Sequence, residues 1–151
     1  MCIRDSFDRL SALEARGETH LVAAAGHLLS QSTVPGLTVV ISDLLTSKWS
    51  HVVRRLPARG SDVLVVHVLA PEDLHPDLLG DLDLRDSETG ERVTVSLSAD
   101  TIRDYERIAE RWSDDVATAC RHNGAGYVRH VAGSPIEALL LSGWRHEGVL
   151  R

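Results

Sequence analysis

The stretch Leu37–Leu45, LTVVISDLL, decides how the rest of the chain is read. Its apolar, mostly β-branched run over Leu37–Ser42 predicts a strand buried on both faces, the signature of a parallel sheet covered by helices. The run stops at Ser42 and Asp43, which places a carboxylate at the carboxyl end of the strand, where open α/β sheets bind their ligands. A second run of the same kind, DVLVVHVLA, extends from Asp62 to Ala70. Between the two, TSKWSHVVRRLPARG carries Trp49, Val52, Val53 and Leu56 at helical intervals, with Lys48, Arg54 and Arg55 turned outward. A short helical crossover between buried strands implies parallel pairing. YVRHVA, from Tyr127, reads as a third buried strand, so the fold class is α/β with a partial, doubly wound and mainly parallel sheet.

Other segments fill in around this core. Phe7, Leu10 and Leu13 mark a short helix from Phe7 to about Ala15, and RGE breaks it. A second helix follows, with Thr19 at its cap and Leu21, Ala24, Ala25, Leu28 and Leu29 as its apolar stripe. GDLDLRDSETGERVTVSLS alternates with period two on both sides of SETG and predicts an inserted β-hairpin, in which Gly90 supplies the left-handed residue of the turn. From Ser98 to about Asn123 a long helix carries Ile102, Tyr105, Ile108, Ala109, Trp112, Val116, Ala119 and Cys120 on one face, and Gly124 stops it. In GSPIE, a Ser134 cap, Pro135 at the first helical position and Glu137 at the third predict a capping box.

The totals narrow the function classes. A chain of 151 residues with 43% hydrophobic content suits one domain with its own core. A net charge of −6, spread over both signs, argues against nucleic acid and acidic membrane surfaces as partners. The 4% of aromatic residues do not alternate with Lys or Arg, so no base-stacking platform is visible. Cys2 and Cys120 form no framework, and no apolar stretch is long enough to span a bilayer, so the expected compartment is the cytoplasm.

Few residues point to chemistry. The eight histidines fall in no HExxH or Cys-x-x-Cys arrangement; His20 and His27 could share a helix face without an identifiable third ligand, and His67 reads as a hydrogen-bonded core residue. Asp81, Asp83, Asp86 and Glu88 resemble a calcium loop only superficially, because Arg85 occupies a ligand position and the required glycine is misplaced; they read as a solvated hairpin face. Ser134 lacks the context of a nucleophile elbow, and NGAGY has no phosphate-binding lysine. Thr19 and Asp43 remain. A hydroxyl and a carboxylate at such positions can share a hard cation such as Mg²⁺, and equally each can simply cap its own helix.

RGETHLVAAA, TVVISDLL, DVLVVHVLAPEDL, the hairpin, the Tyr105 helix and SPIEALLLSGWRHEGVLR resemble, in order, the carboxyl-terminal half of a bacterial family known as domain of unknown function fifty-eight. The resemblance implies a von Willebrand factor A-like fold, whose metal-ion-dependent adhesion site uses a D-x-S-x-S motif, then a threonine, then an aspartate. Thr19 and Asp43 match the last two, with Ser42 adjacent, and the D-x-S-x-S motif is absent from this chain. The resemblance further implies that the chain is truncated, with MCIRDS over 1–6 an artefactual or disordered leader and 7–151 an incomplete domain. In that fold the missing first strand lies beside the strand ending at Asp43, so its loss would leave an apolar edge. The implied function is a non-catalytic interaction module working with a MoxR-type AAA+ ATPase, with Mg²⁺ bound only by the complete protein. The alternative is a small α/β hydrolase-type enzyme using Asp43 and a histidine such as His20 at the strand ends.

Overall fold

The computed structural model describes residues 3–14, 20–31, 36–57, 60–86 and 89–139. Its centre is a three-stranded parallel sheet built from the three apolar runs: β1 (Leu37–Ser42), β2 (Asp62–Leu69) and β3 (Gly126–Val131), in the order β1-β2-β3. The register sets Val40 opposite Val65 and Ile41 opposite Val66, then Val65 opposite Tyr127 and His67 opposite Arg129.

Because strand side chains alternate, Val40, Val63, Val65 and Tyr127 share one face. Three helices cover that face: α1 (Leu21–Gln31), α2 (Trp49–Arg55) and α3 (Ala99–His122), through Ala25, Val52, Val53, Val116 and Cys120. The two crossover helices, α2 and α3, lie on the same side while the sheet grows steadily from β1 to β3, as same-handed connections require. Leu64 and Val66, on the opposite face of β2, are also buried, so the central strand is covered on both sides. The expected α/β class with a partial parallel sheet is therefore what the chain forms.

The hairpin is also as expected: Gly80–Arg85 pairs antiparallel with Arg92–Leu97, setting Leu82 against Val95 and Leu84 against Val93. Gly90 adopts φ +75°, and the Asp86 carboxylate accepts a hydrogen bond from the Thr89 N–H at 2.8 Å to close the turn. Asp83 and Asp81, two of the acids that resembled a calcium loop, are engaged within the hairpin. Asp83 pairs with Arg92 at 3.3 Å, and Asp81 accepts from the Ser96 hydroxyl.

Ser98 caps α3 by accepting from the Thr101 N–H at 3.1 Å. At the other end Gly124 takes φ +76°, and the Ala125 N–H returns to the Cys120 carbonyl, closing the helix where the sequence placed its stop.

Four expectations are corrected. β1 is not buried on both faces: Leu37, Val39 and Ile41 are exposed, because the strand has a single sheet neighbour among the described residues and nothing there packs on that side. On α1 the inward stripe is Leu21, Val22, Ala25 and Leu29, whereas Ala24 and Leu28 face out; the helix is rotated so that Val22 meets α2. The first helix spans Ile3–Ser11, starting and ending earlier than the expected Phe7 to about Ala15, and its Phe7 and Leu10 are exposed. The last described helical turn, Ile136–Ala138, is capped by Pro135 without any side-chain hydrogen bond, so Ser134 does not form the capping box; its N–H instead bonds the Val131 carbonyl at 3.0 Å.

Candidate functional site

The carboxyl ends of β1 and β2 form the most structured polar corner of the fold. At the tip of β1 the chain turns sharply through Leu44, a non-glycine residue at φ +56°. Left-handed backbone costs an L-residue about 1–2 kcal/mol, so the turn needs local support. Ser42 Oγ accepts the Leu44 N–H at 3.0 Å, Asp43 Oδ1 accepts the Leu45 N–H at 3.2 Å, and the Leu44 side chain is buried. Asp43 itself is exposed, with its carboxylate at the strand tip as the sequence suggested. Thr19, its expected partner, lies outside the described residues.

The backbone of the same corner is locked from below by His67, which is fully buried in β2. His67 Nε2 lies 2.9 Å from the Asp43 carbonyl oxygen, which can only accept, so Nε2 carries the proton. Nδ1 then accepts from the Tyr127 hydroxyl at 2.9 Å. The Tyr127 oxygen accepts in turn from Ser113 Oγ at 3.2 Å, and Ser113 accepts from Arg129 Nη1 at 3.4 Å. Arg129 is anchored to Glu110 at 2.7 Å. The chain of donors therefore runs in one direction, from a surface guanidinium through α3 and β3 to the turn that presents Asp43.

The same arrangement fixes the protonation state. Burial holds His67 below the ordinary histidine pKa; the hydrogen bond to Asp43 opposes this and the Arg129 charge reinforces it. Burial likewise pushes the Tyr127 hydroxyl up, so it stays protonated and able to donate. The hydrogen bond that Arg129 donates to Glu110 raises the Arg129 pKa. His67 is thus the satisfied core histidine that its place in a buried strand suggested.

Above this corner lies a cleft of about 390 Å³. Leu44 and Trp49 wall it on the β1 side, Leu69 and Leu74 on the β2 side, and Ile108 and Trp112 on α3. It exists because α3 has 24 residues and the strands only six to eight, so the first turns of the helix extend past the sheet and carry their apolar stripe with them. Tyr105 and Ile108, on the expected apolar face of α3, are accordingly exposed at this end, whereas Val116 and Cys120 are buried against the sheet. Trp112 forms the base of the cleft and meets the His67 ring edge-on at a centroid distance of 4.9 Å.

Sequence reading missed both the cleft and the Ser113–Tyr127–Arg129 relay. An apolar stripe longer than the strands beneath it was the available signal for the first. The relay gave none, since its members become neighbours only through the sheet register.

As a cation site the described residues are incomplete. Ser42 and Asp43 contribute one hydroxyl and one carboxylate, both already engaged in the turn, and among the described residues no three His, Cys, Asp or Glu side chains converge as metal ligands. His20 and His27 are exposed on or beside α1, and His75 pairs instead with Glu106 at 2.9 Å.

Comparison with known proteins places the chain. The family described as "Protein of unknown function DUF58" matches residues 7–115. The chain belongs to this family. An uncharacterized protein of Mycobacterium avium is 34% identical over 91 residues, covering 60% of this chain and 53% of the relative. Uncharacterized proteins of Mycobacterium bovis and Mycobacterium tuberculosis are each 35% identical over 91 residues, again 60% of this chain but 28% of theirs. The chain thus spans about half of one curated relative and less than a third of the others. No solved structure matches it. Within the DUF58 match fall Asp43, His67 and every wall of the cleft, whereas Tyr127 and Arg129 lie beyond it. Among the described residues no helix is long and apolar enough to cross a membrane.

Proposed function

We propose that this DUF58 chain is part of a non-catalytic, cytoplasmic protein-interaction module of von Willebrand factor A-like fold, acting with a MoxR-type AAA+ ATPase. One observation carries the reading: Asp43 is held out at the carboxyl tip of a parallel strand by a strained turn that Ser42, Leu44 and the His67 relay together enforce. Strain kept in place by its surroundings is characteristic of sites that contact another molecule. In a complete adhesion site Asp43 and Thr19 would be two of several oxygen donors to Mg²⁺, which would present an open coordination position to a partner's carboxylate. The donors available here are too few for tight binding by this chain alone.

Two measurements test the proposal. Calorimetric titration with Mg²⁺ is expected to show no tight one-to-one binding; a saturable, high-affinity isotherm lost in Asp43→Asn would overturn the incomplete-site reading. Purified chain mixed with a MoxR-type ATPase from the same genome is expected to co-elute in size-exclusion chromatography, with affinity at least tenfold weaker for Asp43→Ala. Absence of co-elution at any nucleotide state would overturn the partner assignment, and hydrolysis of generic phosphatase or ester substrates that disappears in Asp43→Asn would replace the module reading with the enzyme alternative.

A further inference from the structure

Charge is unevenly divided along this chain. Over residues 20–61 Asp43 is the only acid, against Lys48, Arg54, Arg55 and Arg59, whereas the whole chain carries −6. The fold sets α1, which contains no Asp, Glu, Lys or Arg, beside α2, where Lys48 at the cap and Arg54 and Arg55 in the last turn are all exposed. Arg55 and His51 line the seam with Gly26 and Leu29 of α1, so the cations stand at the edge of an uncharged helix. Local helix energetics do not call for this arrangement. The dipole of α2 favours Arg54 and Arg55 where they are, but it disfavours Lys48 at the amino-terminal cap, where no acid follows in the first turn. On α3, Arg103 and Arg107 are each answered by an acid three residues earlier, Asp100 and Asp104. Lys48, Arg54 and Arg55 have no such answer: among the described residues no side-chain hydrogen bond or ion pair engages them. A local rule broken with no return inside the chain marks a surface shaped by something outside it.

We propose that the α1–α2 surface binds an acidic segment of a partner protein, whose carboxylates pair with Lys48, Arg54 and Arg55. With seven residues α2 is about 10 Å long, so its cations address a short segment rather than an extended polyanion. A nucleic acid duplex or an anionic bilayer would reach past this surface to the acids that give the chain its negative balance, and these would repel it. Complementary charge of this kind supplies specificity and a fast on-rate. The inference goes beyond the Asp43 reading, uses none of the residues of that turn, and does not depend on the ATPase being the partner.

The probe is a fluorescein-labelled peptide, Gly-Ser-Glu-Glu-Glu-Glu-Ser-Gly, compared by fluorescence anisotropy at low salt with its counterpart carrying glutamine in place of every glutamate. The glutamate peptide is expected to bind saturably, about tenfold or more tighter than the glutamine peptide, with the difference shrinking as salt is added. Arg54→Glu with Arg55→Glu should weaken it about tenfold without moving the thermal melt, because both side chains are exposed. Arg111→Glu with Arg121→Glu, which lowers the net charge equally but on α3, should change it by less than about threefold. If the first variant folds poorly, Lys48→Gln with Arg55→Gln provides the same check, with an expected loss of about fivefold. Equal binding of the two peptides, equal losses in the two charge-reversed variants, or no binding of the glutamate peptide would overturn the inference. Tighter binding of a thymidine octamer or of phosphatidylserine vesicles, lost in Arg54→Glu with Arg55→Glu, would overturn the assignment of this surface to a protein segment.

Discussion

Replacing His67 with alanine is expected to destabilise the chain by about 2–4 kcal/mol, measured as a shift in the urea midpoint at unchanged slope. The side chain is fully buried and packs edge-on against Trp112, so its loss leaves a cavity. It also leaves the Asp43 carbonyl and the Tyr127 hydroxyl without their shared partner. Against a typical total stability of about 5–15 kcal/mol this is a large fraction. A pH signature separates His67 from a generic core residue. Its pKa is lowered in the folded state, so the unfolded chain protonates first as pH falls. The stability contribution is therefore complete above the ordinary histidine pKa of 6.5 and is lost as pH drops below it toward the folded-state pKa, at a slope of up to about 1.4 kcal/mol per pH unit. The stability difference between wild type and His67→Gln should be flat above that value and fall below it. Parallel curves down to pH 5 would assign the acid sensitivity to other groups.

Why His67 was legible while its partners were not follows from what periodicity encodes. A histidine inside DVLVVHVLA can only be buried, and a buried imidazole needs partners, so its role followed from its position alone. Tyr127 and Arg129 read simply as members of a strand, and Ser113 as one polar residue on a charged helix. They meet His67 because β3 sets Arg129 opposite it and α3 lies across both strands. The strands, the hairpin and both ends of the long helix were readable because each is written in local signals: continuous β-branched runs, period-two alternation around a glycine, a serine cap and a glycine stop. Burial of β1 was not, since the run LTVVIS shows that a strand wants to be covered and says nothing about whether anything covers it. Helix rotation failed for the same reason on α1, where Val22 and Ala24 are equally apolar and only the position of α2 decides which turns inward. The resemblance to DUF58 was carried by local motifs and is confirmed over residues 7–115, whereas the Thr19 contribution lies outside the described residues.

The uncovered side of β1 leads to the second large effect. Ile41→Lys is expected to keep the chain monomeric at concentrations where the wild type self-associates, as read by sedimentation velocity across a concentration series. β1 hydrogen-bonds only to β2 among the described residues, leaving its outer backbone edge available, and Leu37, Val39 and Ile41 form an exposed apolar row beside that edge. Such an edge is a template for pairing with a second chain, and an inserted lysine is the common natural device against it. Ile41 is 71% exposed, so the substitution itself should change stability by no more than about 0.5 kcal/mol. The effect should therefore appear in association and not in folding. The same row makes the isolated chain marginal, with an expected melt at or below about 45 °C, the low end for domains of ordinary organisms. The Mycobacterium bovis and Mycobacterium tuberculosis relatives, roughly twice as long, have polypeptide enough to pair β1 and cover Leu37, Val39 and Ile41, which would raise the melt and remove the benefit of the lysine together. A wild-type chain that stays monomeric at high concentration and melts cooperatively above about 65 °C would show instead that this edge is already protected.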